Sequence, residues 1–186
     1  MKYLIVALGN KGDKYTYTRH NIGWLVCDAL LPEASWEYDK YADALTYATS
    51  DALYVKPQTM MNLSGHAVRI LADRHHVAHD HIVVLHDDLD IFFGSFKISY
   101  NRGAAGNNGV HSIARSLGGL DFVRVRIGIS RLGQDGRIIK PPVLGRHPDD
   151  ELQEIPHIAK RIASALAVII AEGHAAAMNR YNEAHS

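Results

Sequence analysis

Three short apolar runs, Tyr3–Leu8, Ile82–Leu85 and Val123–Ile129, constrain this chain most. Each is too short for a buried helix and rich in aliphatic or β-branched residues, so each reads as a strand. The first two are unbroken, the pattern of strands covered on both faces. Val123–Ile129 instead alternates, with one apolar face and a second presenting Arg124 and Arg126. Helical segments interleave with these runs. Ile22–Leu31 is apolar-rich and stops at Pro32. Another helix runs from a cap at Asn62 or Ser64 to about His75, and a third from Asn108 to Leu117, ended by Gly118-Gly119. Trp36–Thr49, with Ala52–Val55 after a Ser50-Asp51 break, predicts a hairpin, and Phe96–Tyr100 a further strand. From Pro148 onward, with Asp149 or Asp150 as cap, Ile155, Ile158, Ile162, Leu166 and Ile169 recur at helical spacing, and a short helix follows Gly173. Strands alternating with helices predict an α/β class: a twisted mixed β-sheet flanked by α-helices. With 186 residues the expectation is a single domain over 1–186, its C-terminal helices starting at about 149.

Composition excludes several function classes. Cys27 is the one cysteine, so neither an internal disulfide nor a multi-cysteine zinc site is available, which fits a reducing cytoplasm. The apolar N-terminal run breaks at Gly9, too short for a signal sequence, and no segment reaches the ~18 apolar residues of a membrane helix. Net charge is zero but unevenly distributed: Lys97–Arg146 holds nine cations against Asp121 and Asp135. Such asymmetry predicts one face for an anionic partner.

Four clusters carry candidate chemistry. Gly9-Asn10-Lys11-Gly12 follows a strand, but its spacing fits neither the dinucleotide fingerprint nor the P-loop, so it reads as a turn projecting Asn10 above the sheet edge. His20, just before the first helix, can take a proton from water near neutral pH. Asp87, in His86-Asp87-Asp88-Leu89-Asp90, is placed at the end of the second buried strand, on the same side of the sheet as Asn10. A carboxylate on the second imidazole nitrogen would fix its tautomer and stabilise the cation that forms. Three carboxylates in five residues also suit magnesium, but no phosphate loop accompanies them, and orientation of His20 by Asp87 is the favoured reading. Met60-Met61-Asn62 can line an apolar slot in which the amides of Asn10, Asn62 and Asn108 pair with peptide groups. The small-residue run Gly103–Gly109 reads as a surface loop whose amides can meet an anion where it opens a helix. His75, His76, His79 and His81 lack a metal-ligand spacing and read as a solvated loop. With no serine elbow, cysteine nucleophile or metal quartet, the set points to hydrolysis by an activated water.

These residues carry a resemblance. Gly9-Asn10 with Tyr15, Thr18-Arg19-His20-Asn21-Ile22-Gly23, Lys56–Gly65, His86–Asp90 with Gly94, Asn108-Gly109 with Ser112-Ile113, Arg126–Ile129 and Val143-Leu144-Gly145 resemble bacterial-type peptidyl-tRNA hydrolase, in family order. The resemblance implies cleavage of the ester between a peptide and the 3′ ribose of tRNA, no cofactor or metal, a monomer, and peptidyl-tRNA as the partner. It makes His20 the base and Asp87 its partner. Asn10, Asn62 and Asn108 would bind the peptide and a nearby water, with Asn10 a candidate oxyanion donor; Tyr15 and Met61 would shape the pocket, and Arg126 would lie near the tRNA-facing surface. Two departures stand out. Lys11 replaces the family's usual proline, and the loop Arg102-Gly103-Ala104-Ala105-Gly106-Asn107-Asn108-Gly109 has lost two glycines and the histidine of the usual pattern. The changed loop keeps open a second reading, a non-catalytic RNA-binding relative of the kind used in intron splicing.

Overall fold

The computed structural model describes residues 2–182. Its eight-stranded sheet runs in the order β2-β3-β4-β1-β5-β7-β6, with β8 paired to β7. The strands are β1 (Tyr3–Ala7), β2 (Glu37–Asp39), β3 (Ala44–Ala48), β4 (Ala52–Pro57), β5 (Ile82–Phe92), β6 (Phe96–Tyr100), β7 (Val123–Leu132) and β8 (Ile138–Ile139). The helices are α1 (Ile22–Leu30), α2 (Ser64–His75), α3 (Asn108–Leu117), α4 (Asp149–Glu172) and α5 (His174–Asn182). The unbroken apolar runs form the parallel centre: β1 pairs with β4 and β5, and β5 with β7. The outer pairs are antiparallel, giving the expected mixed α/β sheet.

Alternation along β1 and β5 separates two cores. Ile5, Val83, Leu85 and the β7 residues Val125 and Ile127 pack with α1, α4 and α5, whereas Leu4, Val6, Ile82 and Val84 pack with α2 and α3. Burial of these side chains on both faces is the main stabilising term, roughly 1.5–3 kcal/mol for each large aliphatic. At the β6 edge, the Asn182 side chain at the end of α5 copies a strand: Ile98 N–H donates to its Oδ1 and its Nδ2 donates to Ile98 O, each at 2.8 Å.

Several local expectations need correction. Trp36–Thr49 contains two strands, because Asp39 Oδ1 accepts from the Tyr41 and Ala42 amides and turns the chain between β2 and β3. Neither Asn62 nor Ser64 caps α2; a 3₁₀ turn over Met61–Leu63 leads into it, and the Ser64 hydroxyl donates back to Met61 O at 2.9 Å. Pro148 occupies the N-cap of α4, leaving Asp149 to pair with Arg146. Most consequentially, the second face of β7 is not presented to solvent. Arg124 is 1% exposed, and its guanidinium donates to Arg102 O and Gly103 O, both at 2.9 Å. Burial pulls its pKa down to about 10.

Close packing at Gly23 sets the position of α1. A β-carbon there would lie 2.6 Å from both Leu8 O and Leu85 O. Gly23→Ala should therefore force α1 off the sheet and destabilise the fold by about 1–3 kcal/mol, read as a lower urea midpoint.

Buried beside Arg124, His86 donates from Nδ1 to Asp87 O at 2.8 Å. Its burial, opposed by the Asp87 charge and reinforced by Arg124, lowers its pKa to about 4. The unfolded ring takes a proton near 6.5, so between these values the unfolded chain binds more protons and stability must fall on acidification. His147 is shifted in the same direction, chiefly by burial. His86→Asn, whose Nδ2 can replace the Nδ1 donor, should flatten the decline of the urea midpoint between about pH 6.5 and 4.5. Parallel curves for the two proteins would refute this account.

Candidate active site

His20 sits in a 3₁₀ turn, Arg19–Asn21, immediately before α1. Backbone pairing holds the turn against a distant segment: Arg19 N–H donates to Gly145 O at 3.0 Å, His20 N–H to Val143 O at 2.8 Å, and His147 N–H to Tyr17 O at 2.9 Å. Buried Glu151, in the first turn of α4, ties the same parts together. It meets His147 Nδ1 at 2.6 Å, Arg131 Nε at 2.5 Å and Arg19 at 3.7 Å. Val143 and Leu144 are thereby fixed opposite His20.

The imidazole meets its expected carboxylate. His20 Nδ1 lies 2.8 Å from Asp87 Oδ1, with the two side chains 10% and 5% exposed. An ionised carboxylate only accepts, so Nδ1 carries the proton and Nε2 keeps a lone pair for a substrate proton. Asp87 is not at a strand end, as the sequence suggested. β5 continues to Phe92, with an irregularity in its pairing to β7 between Asp88 and Phe92. The edge arises because β1 stops at Ala7, opposite Leu85, leaving Asp87 two residues beyond its neighbour.

Asn10 is locked from two sides. Its backbone N–H donates to Asn21 Oδ1 at 2.9 Å, and Asn21 Nδ2 donates to its carbonyl at 3.0 Å. Asn10 Oδ1 accepts from Met61 N–H at 2.8 Å, which leaves Nδ2 to offer a ligand. Asn10, Tyr15, His20, Met60, Met61, Asn62, Asn108, Val143 and Leu144 line one cleft of about 400 Å³. Asn62 and Asn108 are exposed in it, whereas Met61 is buried beneath. Met61 packs against α3 closely enough that a β-carbon at Gly109 would lie 2.5 Å from its sulfur. Thus six of the eight singled-out residues line the cleft, and Asp87 stands behind His20.

Arg126 is elsewhere. It donates from Nε to Asp88 Oδ2 at 2.8 Å and borders a depression of about 270 Å³ with Lys97 and Arg102. Burial alone would raise the Asp88 carboxyl, but Arg126 and the Asp90 amide hold it below its usual value. Asp90 pairs with Lys140 at 2.6 Å, so each of the three carboxylates once weighed for magnesium already faces a histidine or a cation. The basic stretch is similarly engaged. Among the described residues, only Lys97, Arg102, Arg115 and Arg124 of its nine cations lack a carboxylate within 4.0 Å.

Sequence reasoning missed Asn21 and Asn107. Asn107 is the N-cap of α3, where its side chain accepts from the Gly109 and Val110 amides. Those amides are therefore not open to an anion, which corrects the expectation for this loop. An asparagine directly before a helix was a legible capping signal.

Comparison with known proteins identifies the family. The family model for peptidyl-tRNA hydrolase matches residues 4–186. Peptidyl-tRNA hydrolases of Bdellovibrio bacteriovorus and Chloroflexus aurantiacus are 32% and 40% identical, each aligned over 97% of this chain and over 99% and 98% of their own lengths. The crystal structure of peptidyl-tRNA hydrolase from Acinetobacter baumannii superposes with a TM-score of 0.83 at 28% identity, covering 98% of this chain and 95% of that one. Sequence and fold agree over nearly the full length, and the chain belongs to the peptidyl-tRNA hydrolase family.

Proposed function

We propose that this chain cleaves the ester joining a peptide to the 3′ ribose of tRNA, with His20 as the general base. The observation that carries the reading is the His20 Nδ1–Asp87 Oδ1 contact at the wall of an amide-lined cleft. His20 Nε2 removes a proton from water, and the resulting hydroxide adds to the ester carbonyl. Asp87 stabilises the imidazolium. Asn10 Nδ2 donates to the developing oxyanion; one such preorganised donor is worth about 3–4 kcal/mol in the transition state. Collapse of the tetrahedral adduct expels the ribose oxygen, which takes the proton back from His20. Asn62 and Asn108 bind peptide groups in either sense, since an amide both donates and accepts, while Tyr15 and Met61 bound the slot.

Arg126 is assigned to the RNA side, through the depression it shares with Lys97 and Arg102. The working unit is taken to be a cytoplasmic monomer of one domain. This follows the family resemblance; among the described residues, no helix is long and apolar enough to cross a membrane. The non-catalytic RNA-binding alternative has no support: the matching family and the named relatives are hydrolases, and the His20–Asp87 contact is intact.

Hydrolysis of N-acetyl-aminoacyl-tRNA is the test. His20→Ala should lower kcat by about 10²–10⁴-fold, the usual range for a general base, while tRNA binding and the urea midpoint stay near wild type. Wild-type turnover in that variant would end the mechanism; RNA binding without cleavage in the unaltered chain would favour the alternative.

A further inference from the structure

Asn107 touches the dyad, yet the mechanism above gives it no part. It is 7% exposed. Its Nδ2 donates to Asp87 Oδ1 at 2.8 Å, while its Oδ1 accepts from Gly109 N–H at 3.0 Å and Val110 N–H at 3.2 Å. The side facing two amide donors must be the oxygen, so the side facing the carboxylate is the NH₂. Asp87 Oδ1 thus holds two donors at the same distance, 2.8 Å: His20 Nδ1 and Asn107 Nδ2.

We propose that Asn107 is a positioning residue for the reaction, fixing the Asp87 carboxylate toward His20 and coupling that orientation to the start of α3. A carboxylate turns readily about its last torsion, where the wells are broad. One hydrogen bond from a turn-borne imidazole leaves that torsion loosely set; a second, from a side chain already pinned to a helix N-terminus, closes it. The donor is neutral and does not titrate between acid and alkaline pH, so it neither competes with His20 for the proton nor releases Asp87 as pH changes. The next residue is Asn108, which lines the cleft. One amide therefore links the base-orienting carboxylate to a peptide-facing side chain. Asn107 stands where the family pattern usually has a histidine, so this chain's departure falls on a group in direct contact with Asp87.

The inference rests on the His20–Asp87 reading and competes with a simpler one, in which Asn107 only caps α3. Asn107→Ser and Asn107→Asp separate the two, because both retain a capping oxygen and both remove the amide donor. Positioning predicts a fall in kcat on N-acetyl-aminoacyl-tRNA of roughly tenfold for Asn107→Ser. It predicts roughly a hundredfold for Asn107→Asp, where a second carboxylate would face Asp87. KM should stay within about twofold in both, and the urea midpoint of Asn107→Ser should stay near wild type. Capping alone predicts wild-type kcat in both variants, and that result would overturn the proposal. So would a loss carried entirely by KM. His20→Ala and Asp87→Asn are measured alongside. If they remain active the base assignment itself fails; if they lose turnover while both Asn107 variants keep it, the positioning role alone is wrong.

Discussion

The active site depends on two parallel neighbours of unequal length. β1 and β5 run side by side, and Leu8 N–H still donates to Leu85 O at 3.0 Å. There β1 turns away while β5 continues. The turn carries Asn10 over the edge; the continuation carries Asp87, still buried, past the end of β1. Gly23 lets α1 approach both Leu8 O and Leu85 O, so the turn bearing His20 arrives at the same corner. The neighbouring segments that carry Asn10 and His20 meet Asp87, 67 residues beyond His20, because one ladder ends before its neighbour, the kind of edge where α/β proteins gather their ligands.

Around this corner the chain satisfies polar groups with one another. Asn21 bridges the Asn10 backbone, Asn10 accepts from Met61, and Asn107 joins Asp87 to α3. Behind them Glu151 gathers Arg19, Arg131 and His147, and Asp88 holds Arg126. Buried charges are expensive to remove from water, and breaking one such pair leaves an uncompensated ion that costs about 3–5 kcal/mol. Networks of this type contribute little net stability but admit one arrangement, which a cleft built from several loops requires.

Much of this was legible from residue pattern. The unbroken runs at Tyr3–Leu8 and Ile82–Leu85 announced buried strands, and the isoleucine spacing after Pro148 announced α4. Placement of Asn10 near Asp87 was expected from two strand ends, of which only the first is real, since β5 runs on past Asp87 to Phe92. What the pattern did not reveal was the burial of β7 on both faces. Alternating valine and arginine normally marks a half-exposed strand. Here the arginines find Asp88 and the carbonyls of Arg102 and Gly103, partners set by tertiary contact alone. The same limit hid the bridge from Asn21 to the Asn10 backbone and the contact of Asn107 with Asp87, though not the capping role of Asn107.

The Asn182 contact with Ile98 has a consequence for the free side of the sheet. A terminal strand ordinarily offers unpaired backbone groups to any extended segment that drifts past. At Ile98 both groups are taken by one amide at the last turn of α5. Fraying of that turn would do more than loosen a helix: it would uncover a docking rail for a foreign chain. Resistance to edge-on aggregation on this flank therefore depends on α5 staying seated, which the stacking of His174 on Tyr100 and the packing of Tyr181 against Phe96 also support.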